Sequence, residues 1–247
     1  MPPAPDKNNL HAPLPHPAPI MNPVIKALHL IFSLDPEVLR VAALSLYVST
    51  AAAALASAAG IPLGYLIGIS RFPGKRTLVL TLNSLMALPT VLVGLLLFFL
   101  LTRNGPLGSL RLLYTPGAIV IGEFVLILPI LTMLSVAATS SVDRALIETA
   151  ATLNASPLSV MKLVLAERRF AYTAAAVTGF GRAVSEVGIA IMVGGNIAGY
   201  TRTLTSAVAL ETSRGEFEFG IALGFVLLAV AAGVNLALHL VQGAARA

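Results

Sequence analysis

Three groups of residues combine types and spacings that could do chemistry. Arg182 and Glu186 stand four apart in an otherwise uncharged run, so on a helix they share one face. A charge inside a membrane span costs about 2.5–3.5 kcal/mol on insertion scales, so such residues pair or face a polar cavity. Two uses fit: a structural ion pair between helices, or an arginine that contributes to an anion path or gate. Glu123, in the preceding run, is either a partner for Arg182 or a residue near an interface. The second group runs from Met192 to Leu204 and includes Gly194-Gly195-Asn196-Ile197 and Thr201-Arg202-Thr203. Gly195 permits close backbone approach, and Asn196, Thr201 and Thr203 offer neutral polar groups to a ligand or a neighbouring helix. The same residues also serve as plain helix-end chemistry, with Gly-Gly-Asn closing one helix and Thr-Arg-Thr opening the next. The third group lies in the charged stretch 143–169, which is too polar to cross a membrane and too patterned for a plain linker.

Other chemistry is excluded by what is missing. There is no Gly-x-x-x-x-Gly-Lys-Ser/Thr phosphate loop, since Gly74-Lys75 lacks the preceding frame. No Ser/His/Asp set and no metal-spaced His/carboxylate set is present, and His29 and His239 are isolated. Cysteine is absent, which rules out disulfides, thiol chemistry and Cys-ligated zinc. We therefore expect a non-catalytic protein with no cofactor and no metal.

These residues need elements to position them. The chain has 247 residues, of which 57% are hydrophobic and only 11% charged, against about 25% charged in soluble domains; its mean hydropathy is +0.88. The net charge of +5 comes from sparse Lys and Arg between long apolar runs. That pattern is membrane-flanking charge and argues against nucleic acid as a partner. Crossing the hydrocarbon takes about 20 apolar residues. Five runs qualify: 41–70, 77–102, 116–139, 171–197 and 219–241. They are continuous and Leu/Ala-rich, which favours helices over barrel strands. The fold expected is an all-α integral membrane domain of about five transmembrane helices over 40–247. Residues 1–23 hold 8 of the 16 prolines and form a disordered tail, in which His11 and His16 are a poor metal site; 24–39 form an interfacial segment ending near Asp35-Pro36. No apolar stretch follows a basic start as in a signal peptide.

Pro62, Pro89 and Pro129 predict kinks. Gly60, Gly64 and Gly68 recur every four residues, as do Gly220 and Gly224, a spacing that suits tight helix pairing and a homodimer seam. Five spans put the termini on opposite sides of the lipid bilayer. The loop 71–76 holds Arg71, Lys75 and Arg76, and 143–169 adds four more cations, so positive-inside places both in the cytoplasm, the C-terminus with them and the N-terminus outside.

Within 143–169 the residues predict two short helices around a corner. The first runs from about Asp143 to Leu153, with Ser140 and Asp143 at capping-box spacing. Asn154 can take the left-handed conformation that ends it. Ser156 caps the second helix with Pro157 at its first position, and Leu158, Met161 and Leu165 share one side. An amphipathic hairpin on the membrane would have the same pattern.

The string Glu148-Thr149-Ala150-Ala151-Thr152-Leu153-Asn154-Ala155-Ser156 resembles the EAA loop of ABC-importer permeases. Glu148 and Ala150 match, and Ala155-Ser156 follow the position of the motif's Gly. Thr149 stands for the first Ala, Asn154 for the Gly, and Ala166-Glu167 where a Leu-Pro pair is expected. The resemblance implies that this loop, with Glu148, Ala150, Asn154, Ser156 and Leu158, docks into a groove on a separate ABC ATPase subunit and transmits its closure. Glu148 would pair with a basic residue of that subunit or cap its own helix environment.

Arg182…Glu186-Val187-Gly188, then Gly195-Asn196-Ile197 and Thr201-Arg202-Thr203-Leu204, is similar to the oxyanion branch that handles molybdate, tungstate and sulfate. Gly194-Gly195-Asn196-Ile197, Gly199-Tyr200-Thr201-Arg202 and Ala209-Leu210-Glu211-Thr212 most resemble tungstate permeases. The resemblance implies half of a pore, two copies around the pathway, and an extracytoplasmic solute-binding protein that delivers the oxyanion. The alternative is an ion-coupled carrier using Glu123, Glu186 and Arg182 as a relay, which would need no docking loop. An intramembrane hydrolase is disfavoured, since no nucleophile–base set is present.

Overall fold

A computed structural model describes residues 21–244, and the proline-rich tail anticipated over 1–23 lies almost wholly outside them. The described residues form helices joined by turns and loops, with no strand among them. In order come α1 (Met21–Phe32), α2 (Pro36–Ile69), α3 (Lys75–Met86), α4 (Thr90–Leu101), α5 (Pro116–Ser140), α6 (Arg144–Thr152), α7 (Pro157–Glu167), α8 (Arg169–Val184), α9 (Gly188–Gly194), α10 (Leu204–Arg214) and α11 (Phe217–Ala244). Uncharged Leu/Ala runs take this form because a helix satisfies its own backbone where water is absent.

Among the described residues, α2, α5 and α11 are each long and apolar enough to cross a membrane. The five-span expectation holds only if two bent pairs count as one span each. The run 77–102 breaks by 95° between α3 and α4, and the run 171–197 by 61° between α8 and α9. Pro89 stands at the first break as the residue before α4, whereas Pro62 and Pro129 lie inside continuous helices.

The segment 24–39 is divided between two helices, α1 and α2. Asp35 caps α2, its Oδ1 accepting Glu37 N–H at 2.8 Å and Val38 N–H at 3.2 Å, with Pro36 in the first turn, so residues 36–39 belong to α2. At its other end α2 closes on Lys75, whose ammonium donates to the carbonyls of Gly68 and Ser70 at 3.0 Å each.

Helices α2 and α5 form the spine. Gly60 abuts Leu131 and Thr132, Gly64 abuts Ser135, and Gly68 abuts Thr139, so the numbers climb together and the helices run parallel. A Cβ on Gly68 would sit 2.5 Å from Thr139 Cβ. The glycine stripe is therefore filled by the chain's own α5 and is not free for a homodimer seam. Gly224 has no neighbour close enough to need its lack of a side chain. Around the spine, Ala52, Ala56, Leu97, Ile127, Leu131, Ala175, Ile189 and Val193 make the main core.

Two ends of the bundle are distinct. At one, Tyr65, Ile69, Val142, Leu146, Val160 and Val164 gather α2, α6 and α7, and Leu238 and Gln242 of α11 share a cleft with Ser141 and Phe170. At the other, Val38, Val41, Leu204, Ala207 and Leu223 gather α2, α10 and α11, and Lys26 pairs with Glu218 at 2.7 Å.

Candidate functional site

Two polar regions hold the coupling and pathway residues expected from the sequence, while Glu123 lies apart within α5. The first is an elbow made of α6 and α7. Asp143 opens α6 with its own carboxylate, which accepts Ala145 N–H at 2.9 Å; Ser140 is the last residue of α5 and takes no part in a capping box. Asn154 adopts φ 54°, and Ala155 N–H reaches Ala150 C=O at 3.0 Å, closing the helix as anticipated. Ser156 Oγ accepts Ser159 N–H at 3.2 Å, with Pro157 at the first helical position.

Ala150 is buried, while Glu148, Asn154 and Ser156 are exposed. Glu148 makes no side-chain hydrogen bond or ion pair to any described residue. The apolar side of α7 differs from the expected Leu158/Met161/Leu165. Val160, Met161 and Val164 pack on Tyr65 and Ile69, and Leu158 is 57% exposed. Helix α7 has apolar residues on more than one side, so the face it buries is set by docking on α2. Leu153 is 76% exposed at the tip. A groove of about 620 Å³ runs between the two helices, lined by Leu146, Thr149, Ala150, Leu153, Ser159 and Leu163.

The second region begins at the break in the fourth run. Arg182 and Glu186 do pair, Nη1 to Oε2 at 2.9 Å, but the helix ends between them at Val184. Glu186 is 3% exposed, and its Oε1 accepts Ile189 N–H at 3.2 Å, capping α9. Its carbonyl accepts Thr205 Oγ1–H at 2.7 Å. A carboxylate there suits the positive end of a helix, which explains why the chain unwinds at Glu186 rather than continuing. Glu123 is not Arg182's partner. It lies in the core of α5, 2% exposed, with Ser49 and Glu186 as its polar neighbours and Oε2 without a partner.

Beyond α9 the backbone turns on Gly195 (φ 72°) and Asn196 (φ 51°). A Cβ on Gly195 would stand 2.6 Å from the Tyr114 ring, so this position needs glycine for both space and conformation. Asn196 and Ser206 hold each other, Nδ2 to Ser206 C=O at 3.1 Å and Ser206 Oγ to Oδ1 at 3.0 Å. Thr201 Oγ1 donates to Gly194 C=O at 2.6 Å and accepts Ile197 N–H at 3.0 Å. Thr203 and Ser206 form the capping box of α10. Leu204 N–H donates to Ser45 Oγ of α2 at 2.6 Å. Arg202 Nη1 stands 3.4 Å from Glu37 and 3.6 Å from Glu211, which Arg214 also approaches.

The structure thus gathers Gly195, Asn196, Thr201 and Thr203 into one loop, with Arg182 and Glu186 tied to it through Thr205. Their polar side-chain atoms are engaged within the loop or its flanking helices. Ser45, Thr205 and Ser206 escaped the sequence reading; Ser45 is 159 positions from its partner, and Thr-x-x-Ser lacks the Glu or Gln that marks a capping box. No group of three His, Asp or Glu side chains converges among the described residues.

Comparison with known proteins covers most of the chain. Residues 60–246 match the family described as binding-protein-dependent transport system inner membrane component. A probable anion ABC transporter permease of Haloferax volcanii is 41% identical over 200 residues, covering 79% of this chain and 86% of that protein. The tungstate uptake system permease of Peptoclostridium acidaminophilum is 40% identical over 216 residues, 87% and 95% of the two chains. Its counterpart in Campylobacter jejuni is 38% identical over 214 residues, 87% and 90%.

Proposed function

The chain belongs to the inner membrane components of binding-protein-dependent transport systems, and from that premise we propose how this oxyanion permease of an ABC importer works. The ion carried is tungstate, as in the two tungstate uptake relatives. ATP is hydrolysed on a separate subunit, which docks on the α6–α7 elbow with Glu148 as its charged contact and Leu153 and Leu158 as apolar ones. An external binding protein delivers the ion at the opposite end, where α1, α10 and the start of α11 meet.

One observation carries the reading. The elbow is exposed at its tip and capped at each helix start, yet its underside grips the spine helix α2 through Tyr65 and Ile69. A stiff, surface-presented unit seated on a spanning helix can pass on a rigid-body push. The elbow end also carries Arg71, Lys75, Arg76, Arg144, Lys162, Arg168 and Arg169, which supports a cytoplasmic elbow and C-terminus with α1 outside.

A second copy completes the pore. Helix α3 buries none of its residues, and Asn83 is exposed on it without a side-chain partner among the described residues. An amide facing lipid is costly, whereas a second protomer would cover it. Arg182, Glu186, Gly195, Asn196, Thr201 and Thr203 act as the frame of a gate beside the pathway, holding loop backbone in place for the ion. An ion-coupled carrier is not favoured, because the chain's relatives are ABC permeases and Arg182 is already neutralised by Glu186.

The test is uptake of radiolabelled tungstate by vesicles holding this chain together with an ABC ATPase subunit and a tungstate-binding protein. ATP-dependent accumulation that vanishes without this chain supports the proposal. Accumulation by this chain alone on a proton gradient would refute it.

A further inference from the structure

The elbow's apolar underside grips α2 through non-directional contacts, so directional bonds are left to fix its register on the bundle. Among the described residues, two polar side-chain links do so, and both come from the α7–α8 junction. Arg168 is the last-turn cap of α7 and immediately precedes α8; its N–H donates to Val164 C=O at 3.0 Å, and its C=O accepts Tyr172 N–H at 3.1 Å. Its guanidinium Nη2 donates to the carbonyl of Ser141, the residue that closes α5. A cation at that point also meets the negative end of the α5 dipole.

One turn further on, the Tyr172 hydroxyl lies 2.7 Å from Thr139 Oγ1, and both residues are buried. Thr139 has one hydroxyl hydrogen, which it gives to Ser135 C=O at 2.8 Å. Tyr172 is therefore the donor in its pair with Thr139. Thr139 is also the residue against which Gly68 of α2 closes. The two links thus fasten the first turn of α8 to the last turn of α5, at the point where α5 touches α2.

We propose that Arg168 and Tyr172 are positioning residues that convert displacement of the elbow into movement of the α2–α5 spine. This rests on the reading of the elbow as the docking site of a separate ATPase. Apolar contacts hold the elbow to the bundle; these two directional bonds set how far the spine follows it.

The experiment uses the full transporter in proteoliposomes and measures tungstate taken up per ATP hydrolysed. Tyr172→Phe keeps the ring and removes one hydrogen bond, so uptake per ATP falls about five-fold, the equivalent of one net hydrogen bond. Arg168→Ala lowers it further, and Arg168→Lys restores part of the loss, while each variant still hydrolyses ATP and still holds the ATPase subunit. Should Arg168→Ala fail to assemble, Tyr172→Phe carries the test. Unchanged uptake per ATP in Tyr172→Phe overturns the proposal, as does a parallel fall of uptake, hydrolysis and thermal stability. Absence of ATP-driven uptake in the unaltered transporter would instead defeat the docking reading, and the proposal with it.

Discussion

The elbow at one end of the bundle and the α9–α10 loop at the other are both polar, both capped, and both built around a left-handed Asn. They differ in where their hydrogen bonds go. In the elbow, Asp143, Asn154 and Ser156 act within a few residues of themselves, leaving the tip and Glu148 open. In the loop, Asn196, Thr201, Thr203 and Ser206 bind one another, and Ser45 and Glu37 tie the assembly to α2. The first is a surface with unused valence. The second is a closed network whose interior cannot be altered without loss of stability. Substitutions in the elbow should therefore separate function from stability, and substitutions in the loop should not.

The largest effect expected is at Gly195. A valine there would need φ near 72° and would strike Tyr114. Strain and overpacking each cost about 1–3 kcal/mol, so Gly195→Val should lose roughly 3 kcal/mol of stability. Thermal melting in detergent measures it. A melting point equal to that of the unaltered chain would mean that the loop is not the closed unit described.

Glu148→Arg should act the other way. The exposed residue has no partner among the described residues to lose, so melting should not shift. Reversing a charge at a docking contact costs on the order of 2 kcal/mol, about thirty-fold in affinity for the ATPase subunit. Co-purification at moderate salt measures it. Retained association would remove Glu148 from the contact.

Much of the elbow was legible because its determinants are local. Asn154, Ser156 and Pro157 declare a helix stop and restart in adjacent residues, and that is how they fold. The spine was half legible. The four-residue glycine spacing announced close packing but not its partner, which lies in α5 of the same chain. The breaks were least legible. Hydropathy runs on through Pro89 and Glu186, yet the chain turns by 95° and 61° there. Pro89 signalled a kink without its size. Glu186 signalled an ion pair, and only the distant Thr205 and the amide of Ile189 reveal it as a cap.

The smallest effect sharpens the same contrast at matched positions. Asn154 and Asn196 both sit at φ near 50°. Replacing either by Ala imposes the left-handed penalty, about 1 kcal/mol. At Asn154 that should be the whole effect, because its side chain bonds to no described residue, and Asn154→Gly should be neutral or slightly stabilising. At Asn196 the amide also holds Ser206, so even Asn196→Gly should cost about 1–2 kcal/mol through the bonds it removes. Melting of the four variants gives the comparison directly. If glycine rescues both positions equally, the Asn196–Ser206 pair contributes nothing to the loop, and the two regions are held by the same local turn chemistry after all.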